Sequence, residues 1–381
     1  MKFGTKAIHA GQEPDPTTGA IITPIYQTST YVQEAPGVHK GYAYARGKNP
    51  TRTALEKCLA ALENAEFGLC FSSGMGACDA IIKMLRPGDE VIATDDLYGG
   101  SYRMFTKVFA HMGIVFHFVD MHDMTAVEEK INEKTKMLWL ETPTNPMMKI
   151  LDIEAFVTYA KNHGLISVVD NTFASPVLQN PLDMGADIVM HSATKYLNGH
   201  SDVVMGAIMT NNKDYYDQLA FIANSCGATP GPMDSFLVNR GVKTLHLRMK
   251  AHCANGRAVA EFLRAHPKVG NVYYPGFTDH PNHEVAKKQM RDFGGMLSFS
   301  LKSDSFELAS KLAQTLELFA LAESLGGVES KISHPASMTH ASIPKEERIK
   351  TGVVDSLLRV SVGVEDIEDL IADLTQALDK V

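Results

Sequence analysis

Four side chains with useful chemistry stand a few residues after short apolar segments of the chain. They are a phenol (Tyr98), an amide (Asn145), a carboxylate (Asp170) and an amine (Lys195). If the apolar segments are parallel strands, their carboxyl ends meet at one edge of a sheet, where doubly wound folds bind their ligands. We therefore expect these four side chains to converge on one site.

The lysine and the carboxylate together indicate the kind of ligand. A desolvated lysine with a lowered pKa is the group that forms Schiff bases with carbonyl cofactors. A buried carboxylate facing a pyridine nitrogen keeps that nitrogen protonated, so that the ring can act as an electron sink. Lys195 and Asp170 therefore predict pyridoxal 5′-phosphate, although a solvated lysine and a turn-capping aspartate are their ordinary roles.

A phosphate and a flat ring also need binding groups, and the sequence offers candidates for both. The segment before Gly74 and Met75 reads as the start of a helix, whose first N–H groups lack intrahelical partners and bind anions. The hydroxyls of Ser192 and Thr194 alternate around Ala193 and could face the same phosphate. Tyr98 at a strand end is well placed to stack on the ring.

Strand-length apolar runs separated by amphipathic helical segments give the chain a βαβ rhythm. Because such crossovers are parallel and cover both faces of a sheet, the strands are nearly all apolar. The pattern predicts an α/β fold with a mostly parallel, doubly wound sheet. Strands are predicted over 90–94, 114–119, 137–140, 166–169, 188–190 and 203–208, and helices over 54–63, after 73–74 and over 248–265.

Three segments organise the chain. Residues 1–46 are rich in Thr, Gly, Pro and Tyr with little periodicity and are predicted to form an extended N-terminal arm. Residues 47–245 carry the βαβ rhythm and form the predicted large cofactor-binding domain. Residues 246–381, with a strand-like run at 296–301, form a predicted smaller C-terminal α/β domain.

Composition excludes several other classes of protein. The 36 basic and 44 acidic residues give a net charge of −8, without a basic cluster for nucleic acid. No apolar run is long enough for a membrane span, and no histidine or cysteine spacing indicates a metal site. Five scattered cysteines favour a reducing cytoplasm over a disulfide framework. The segment 74–79 lacks the third glycine of a dinucleotide fingerprint, so a nicotinamide enzyme is disfavoured.

One stretch of sequence is specific enough to indicate a family. Residues 192–202, Ser-Ala-Thr-Lys-Tyr-Leu-Asn-Gly-His-Ser-Asp, resemble the Cys/Met-metabolism family of pyridoxal-phosphate (trans-sulfuration) enzymes. The resemblance implies the type I aminotransferase-like fold and a homotetramer made of two dimers with shared active sites. It extends over nearly the whole chain, through 23–30, 49–52, 169–173, 324–330 and 358–363.

The family pattern also implies roles for residues outside the strand ends. Tyr44 and Arg46 of the arm correspond to a Tyr-x-Arg that reaches the cofactor phosphate of the neighbouring subunit. Arg359 corresponds to the arginine that binds the substrate α-carboxylate, assisted by Ser324 and Asn145. An arginine fork suits both anions because it binds them in a bidentate manner.

The resemblance implies a reaction at a sulfur amino acid. Lys195 is then both the cofactor anchor and the base that takes the α-proton, and Tyr98 is a candidate acid for a departing thiolate. Because cystathionine has a distal amino-acid head, we expect Arg103 to face its carboxylate, with a surface ion pair as the ordinary alternative. Glu323 is a further candidate for substrate binding.

The activity within the family is narrowed by a few positions. Gly100 stands where methionine-cleaving members carry cysteine, and residues 325–328 differ from the Trp-Gly-Gly-Tyr typical of β-lyases. Residues 224–230 and 239–249 look closer to γ-lyases than to γ-synthases. We therefore expect a cystathionine γ-lyase, with hydrogen sulfide release from cysteine left open. The alternatives are a γ-synthase that joins an O-acylhomoserine to cysteine and a catalytically silent relative.

Overall fold

Seven short strands form the larger of two sheets in the computed structural model, which describes residues 1–341 and 343–381. Their order is β1-β7-β6-β5-β4-β2-β3. Strand β7 is antiparallel to β1 and β6, whereas the other neighbours are parallel. The predicted, mostly parallel sheet is thus confirmed. The strands are β1 (Phe67–Phe71), β2 (Glu90–Thr94), β3 (Val115–Val119), β4 (Thr135–Glu141), β5 (Ile166–Asp170), β6 (Ile188–Ser192) and β7 (Gly206–Thr210).

Helices cover both faces of this sheet, which explains the apolar character of its strands. Along β4, Leu138 and Leu140 pack into one apolar cluster and Met137 and Trp139 into another, on opposite faces. Alternation of side chains along a strand makes this division unavoidable. The helices of the chain are α1 (Phe3–His9), α2 (Pro50–Leu62), α3 (Gly74–Ile82), α4 (Gly99–Met104), α5 (Met124–Glu128), α6 (Ile153–Asn162), α7 (Ser175–Leu178), α8 (Lys213–Cys226), α9 (Pro232–Val242), α10 (Leu245–Ala265), α11 (His283–Gln289), α12 (Phe306–Thr315), α13 (Lys345–Lys350) and α14 (Ile367–Asp379).

A second sheet of five strands follows in the C-terminal part of the chain, in the order β10-β11-β12-β9-β8. It is mainly antiparallel, with one parallel pair between β10 and β11. Helices α10, α12 and α14 contribute apolar side chains to its core. The boundaries at residues 46 and 245 remain predictions. The strands are β8 (Val269–Tyr273), β9 (Met296–Leu301), β10 (Ala320–Leu321), β11 (Lys331–Ser333) and β12 (Leu357–Ser361).

Three local predictions differ from the structure. The predicted strand over 203–208 begins only at Gly206, because the backbone N–H and C=O of Met205 bond to Thr194 instead of a neighbouring strand. Strand β1 was not predicted, since Gly68 interrupts its apolar run. The N-terminal arm is not wholly extended: α1 packs on α2 and α10 and buries Ala7.

No helix in the described part of the chain is long and apolar enough to cross a membrane.

Candidate active site

A cavity of about 330 Å³ lies at the carboxyl ends of the central strands, where the sequence places the reactive side chains. Most of the predicted site residues line it together. Tyr44, Arg46 and Arg103 are not among its lining residues. The predicted residues that line it are Gly74, Met75, Tyr98, Asn145, Asp170, Ser192, Thr194, Lys195, Glu323, Ser324 and Arg359.

Lys195 lies in the turn that follows β6 and is held by a hydrogen bond to the C-terminal part of the chain. Its Nζ donates to the Ser324 Oγ at 2.9 Å. Burial, followed by the nearby charges of Arg359 and Lys331, lowers the pKa of the Lys195 amine to about 8. The unprotonated, nucleophilic form is therefore far better populated near neutral pH than for an exposed lysine.

Asp170 ends β5 and is fixed by Thr172. The Asp170 Oδ1 accepts hydrogen bonds from the Thr172 N–H at 3.0 Å and from the Thr172 hydroxyl at 2.5 Å. Burial raises the pKa of Asp170, while these two bonds oppose the rise. The Thr172 hydroxyl also accepts from the Ser192 N–H at 2.9 Å, which ties the ends of β5 and β6 together.

Glu141 is a second buried carboxyl in the same cavity, and the sequence argument missed it. It pairs with Asp170 in the register of β4 and β5, so the two side chains share a face of the sheet. Burial, followed by the charge of Asp170, raises the pKa of Glu141. Its Oε2 accepts the Tyr98 N–H at 2.9 Å and so positions the start of α4. Its place directly after the apolar run of β4 was the signal that could have identified it.

The N-terminus of α3 faces the cavity as predicted. The Ser73 hydroxyl accepts the Gly76 N–H at 2.9 Å and caps the helix. The first N–H groups, those of Gly74 and Met75, have no intrahelical partner and remain available. A Cβ on Gly74 would lie 3.0 Å from the Ser192 Cβ, so only glycine leaves this concave space open. The backbone therefore forms a concave cradle with free N–H donors, the polarity that a phosphate group needs.

Thr194 is less free than expected. Its hydroxyl donates to the Met205 carbonyl at 3.3 Å and accepts from the Met205 N–H at 3.0 Å. Thr194 can donate to a phosphate only by releasing the longer of these bonds. Ser192 has no such competing acceptor among the described residues, so its hydroxyl is the more available donor.

Arg359 lies on β12 and brings the second sheet into the site. Its Nη1 donates to the Asn145 Oδ1 at 2.9 Å and its Nη2 to the Ser324 carbonyl at 3.2 Å. Ser324 has a φ of +110°, a conformation that costs a non-glycine residue about 1 to 3 kcal/mol. Through its hydroxyl and carbonyl, this residue holds both Lys195 and the arginine, which places a buried positive charge beside the amine.

Tyr98 stands between the interior of the cavity and solvent, with 40% of its surface exposed. Burial of the remainder raises the pKa of its phenol. The charges of Arg103, Glu323 and Arg359 all act on this phenol. Glu323 lines the cavity and is exposed, as expected for a residue at its mouth, whereas Arg103 is exposed and does not line it.

Tyr44 and Arg46 are not brought into the cavity of their own chain. Tyr44 is half exposed, and the Arg46 Nε donates to the Asn224 Oδ1 at 3.3 Å. Arg52 holds the loop that carries them: its guanidinium donates to the carbonyls of Ala45, Arg46 and Gly47 at 3.0, 3.1 and 2.7 Å. A role at a neighbouring subunit remains a proposal for these two residues.

The site fits pyridoxal 5′-phosphate on three independent observations. The cradle at Gly74 matches the phosphate, the buried Asp170 matches the ring nitrogen, and the amine of Lys195 with its lowered pKa matches the aldehyde. The half-exposed ring of Tyr98 borders the same space.

Comparison with known proteins agrees with this chemistry. The family model described as "Cys/Met metabolism PLP-dependent enzyme" matches residues 4–379. A cystathionine gamma-lyase of Dictyostelium discoideum is 53% identical over 380 residues, which cover 100% of this chain and 98% of that protein. A cystathionine beta-lyase of Coxiella burnetii is 54% identical over 376 residues, covering 98% and 97%. A cystathionine gamma-synthase of Mycobacterium bovis is 50% identical over 376 residues, covering 98% and 96%.

Solved structures show the same relationship. The crystal structure of cystathionine gamma-lyase from Lactobacillus plantarum complexed with L-serine superposes with a TM-score of 0.97 at 44% identity, covering 100% of this chain and 99% of that one. The crystal structure of metB from Corynebacterium glutamicum gives a TM-score of 0.97 at 47% identity, covering 100% and 98%. The chain belongs to the Cys/Met-metabolism family of pyridoxal-phosphate-dependent enzymes, as its sequence motifs predicted.

Proposed function

We propose that this enzyme is a cystathionine γ-lyase, which cleaves L-cystathionine to L-cysteine, 2-oxobutyrate and ammonia. The observation that carries the substrate assignment is the combination of a buried arginine, Arg359, with two exposed charged side chains, Arg103 and Glu323, all of whose charges act on Tyr98. Cystathionine has an amino-acid group at each end. One end fits the buried arginine, and the other fits the charges at the mouth.

The proposed roles follow from the geometry of the site. Arg359 binds the α-carboxylate and thereby directs the Cα–H bond toward Lys195. Pyridoxal 5′-phosphate, when bound, supplies the electron sink that makes this bond acidic. The Lys195 amine takes the α-proton, which its lowered pKa allows near neutral pH. Burial raises the pKa of the Tyr98 phenol, so that it stays protonated and can donate to the departing sulfur.

The cofactor roles proposed for the remaining residues are those of binding and orientation. Gly74, Met75 and Ser192 donate to the phosphate, with Thr194 as a secondary donor. Asp170 keeps the ring nitrogen protonated, and Tyr98 stacks on the ring. Asn145 serves both the substrate and the cofactor. Its Oδ1 orients the substrate-binding Arg359, and its side chain also lines the cofactor cavity.

The competing activities are γ-synthase and β-lyase. Relatives of both names are as similar to this chain as those named γ-lyase. The difference from the typical β-lyase motif at residues 325–328 therefore does not exclude β-elimination, and we retain this activity as an alternative outcome. The segments 224–230 and 239–249 are what favours γ-elimination over replacement, whereas Gly100 speaks only against a methionine-cleaving activity.

The quaternary structure proposed for the enzyme is a homotetramer in which Tyr44 and Arg46 complete the phosphate site of the neighbouring subunit. The exposure of Tyr44 and the absence of both residues from their own cavity, among the described lining residues, support this arrangement. A cytoplasmic location likewise remains a proposal, supported by the five cysteines, all of which have free thiols.

A product assay in two tubes tests the activity. One tube contains the holoenzyme with cystathionine alone, and the other contains O-succinylhomoserine with cysteine. Cysteine and 2-oxobutyrate from the first tube are expected. Homocysteine and pyruvate there would establish β-elimination, and net cystathionine accumulation in the second tube would establish a synthase; either result would overturn the proposal.

A further inference from the structure

A cluster of buried polar side chains lies on the face of the large sheet opposite the cavity. Its members, which we call the rear network, are each at most 3% exposed. Within the described chain, none of them lines the cavity. Buried polar groups are costly unless they are hydrogen-bonded, so a network of this size requires a reason. The rear network consists of Glu63, Asn171, Gln179, Asn180 and His191.

Glu63, directly after α2, is the centre of the rear network. Its Oε1 lies 2.6 Å from the His191 Nε2 and accepts the Asn171 Nδ2 at 2.8 Å. Its Oε2 accepts the Asn180 Nδ2 at 3.1 Å. His191 is the one residue among these contacts that can carry a positive charge, so the carboxylate and the imidazole form a buried pair.

Two members of the rear network are chain neighbours of proposed cofactor-binding residues. Asn171 follows Asp170, and His191 precedes Ser192. Consecutive side chains in an extended segment point to opposite faces of the sheet. Asn171 and His191 therefore lie on the face opposite to Asp170 and Ser192, which face the cofactor. Through Asn171 and His191, Glu63 therefore links the ends of β5 and β6 on the face of the sheet opposite the cavity.

The rear network also reaches the end of β4. The Gln179 Nε2 donates to the Asn171 Oδ1 at 2.9 Å and to the Thr142 carbonyl at 2.8 Å. Thr142 follows Glu141, the second carboxyl of the cavity. Three adjacent strand ends are thus linked to one buried acid.

We propose that Glu63 is a positioning residue that, through Asn171 and His191, fixes Asp170 and Ser192 in the geometry that binds the cofactor. This inference rests on the cofactor roles proposed above for Asp170 and Ser192. A positive charge on His191 would in addition favour the ionised form of Asp170. Glu63 thus supports the place of the carboxylate that faces the cofactor ring.

The test compares Glu63→Gln with a matched buried acid far from the cavity. Asp373 on α14 is 5% exposed and accepts the N–H groups of Glu317, Leu318 and Phe319 at 2.8, 2.8 and 3.1 Å. We expect both Glu63→Gln and Asp373→Asn to unfold more easily than the wild type. Only Glu63→Gln should raise the cofactor dissociation constant, by roughly tenfold or more, and change the pH dependence of the bound cofactor's absorbance.

An Asp170→Asn variant separates this inference from the function on which it rests. If Asp170→Asn binds the cofactor as the wild type does, the proposed role of Asp170 is wrong. If Asp170→Asn loses affinity but Glu63→Gln matches Asp373→Asn in affinity and absorbance, the inference about Glu63 is wrong. Should Glu63→Gln fail to fold, His191→Asn, which removes one contact of Glu63, carries the same expectations.

Discussion

At the scale of single residues, the environment of Lys195 decides the chemistry. Burial in the cavity and the adjacent Arg359 charge both disfavour the ammonium form and lower the pKa of this amine to about 8. Ser324 is held in an unfavourable backbone conformation to keep both groups in place. Such strain is typical of functional sites.

This lowered pKa predicts how the apoprotein captures its cofactor. Only the unprotonated amine can react with an aldehyde, so the capture rate should increase as pH rises through about 8. Stopped-flow absorbance at a series of pH values measures this capture rate. A midpoint near the pKa of an exposed lysine, about 10.4, would contradict the described environment.

Gly100 sets the position of the Tyr98 ring. A Cβ at residue 100 would lie 2.3 Å from the Tyr98 Cε1, so Gly100→Ala must displace the ring. We expect kcat/KM for cystathionine to fall by roughly a hundredfold, as small displacements of reacting groups do. The control is Gly231→Ala, where the nearest atom would be 3.9 Å away. Unchanged kcat/KM in Gly100→Ala would exclude a catalytic role for the ring position.

At the scale of elements, close packing between β7 and α3 positions the phosphate cradle. A Cβ on Gly206 would lie 2.2 Å from the Ser73 carbonyl oxygen, which belongs to the N-cap of α3. Because that atom is backbone, the helix start itself would have to move. The cradle therefore depends on a glycine in a different element.

Gly206→Ala should thus weaken both folding and cofactor binding. Overpacking typically costs about 1 to 3 kcal/mol in the free energy of unfolding, which urea titration of the apoprotein would measure. Equilibrium titration should show weaker cofactor binding as well. A loss of stability with unchanged cofactor affinity would show that the helix start tolerates the shift.

The sequence predicted the central strands well, because burial on both faces makes them continuous apolar runs. It failed where a tertiary contact overrides the local pattern. Val203 and Met205 are apolar and buried, yet the Met205 backbone bonds to Thr194 and not to a strand. Strand β1 contains Gly68 because a Cβ there would lie 2.5 Å from the Glu56 carbonyl of α2, a constraint that no local pattern shows.

At the scale of the whole molecule, the cavity joins residues that are distant in sequence. The strand-end residues could be predicted from the βαβ rhythm alone, since that rhythm fixes which ends meet. Arg359 on β12 and Ser324 in the loop between β10 and β11 come from the C-terminal part of the chain, and only the family resemblance identified them. Glu141 was missed although it follows an apolar run as Asp170 does, and the rear network was missed because its members meet only through tertiary contacts.

The proposed sharing of active sites between neighbouring subunits predicts complementation between two inactive variants. Arg46→Ala and Lys195→Ala subunits, mixed and reassembled in equal amounts, should form hybrid dimers in which one site has both residues intact. Random pairing then restores about a quarter of the wild-type sites. The recovery is measured as the activity after reassembly, compared with the activity of each variant alone. No recovery would show that Arg46 does not contribute to the site of a neighbouring subunit.

The central claim is that Lys195, in the turn that follows β6, holds the cofactor. Borohydride reduction of the holoenzyme followed by peptide mass spectrometry tests it most directly, because reduction makes an imine link permanent. We predict a single cofactor-modified peptide with the modification on Lys195, and no modified peptide from Lys195→Ala. Modification of another lysine, or a Lys195→Ala protein that keeps the yellow colour and full turnover, would contradict the account.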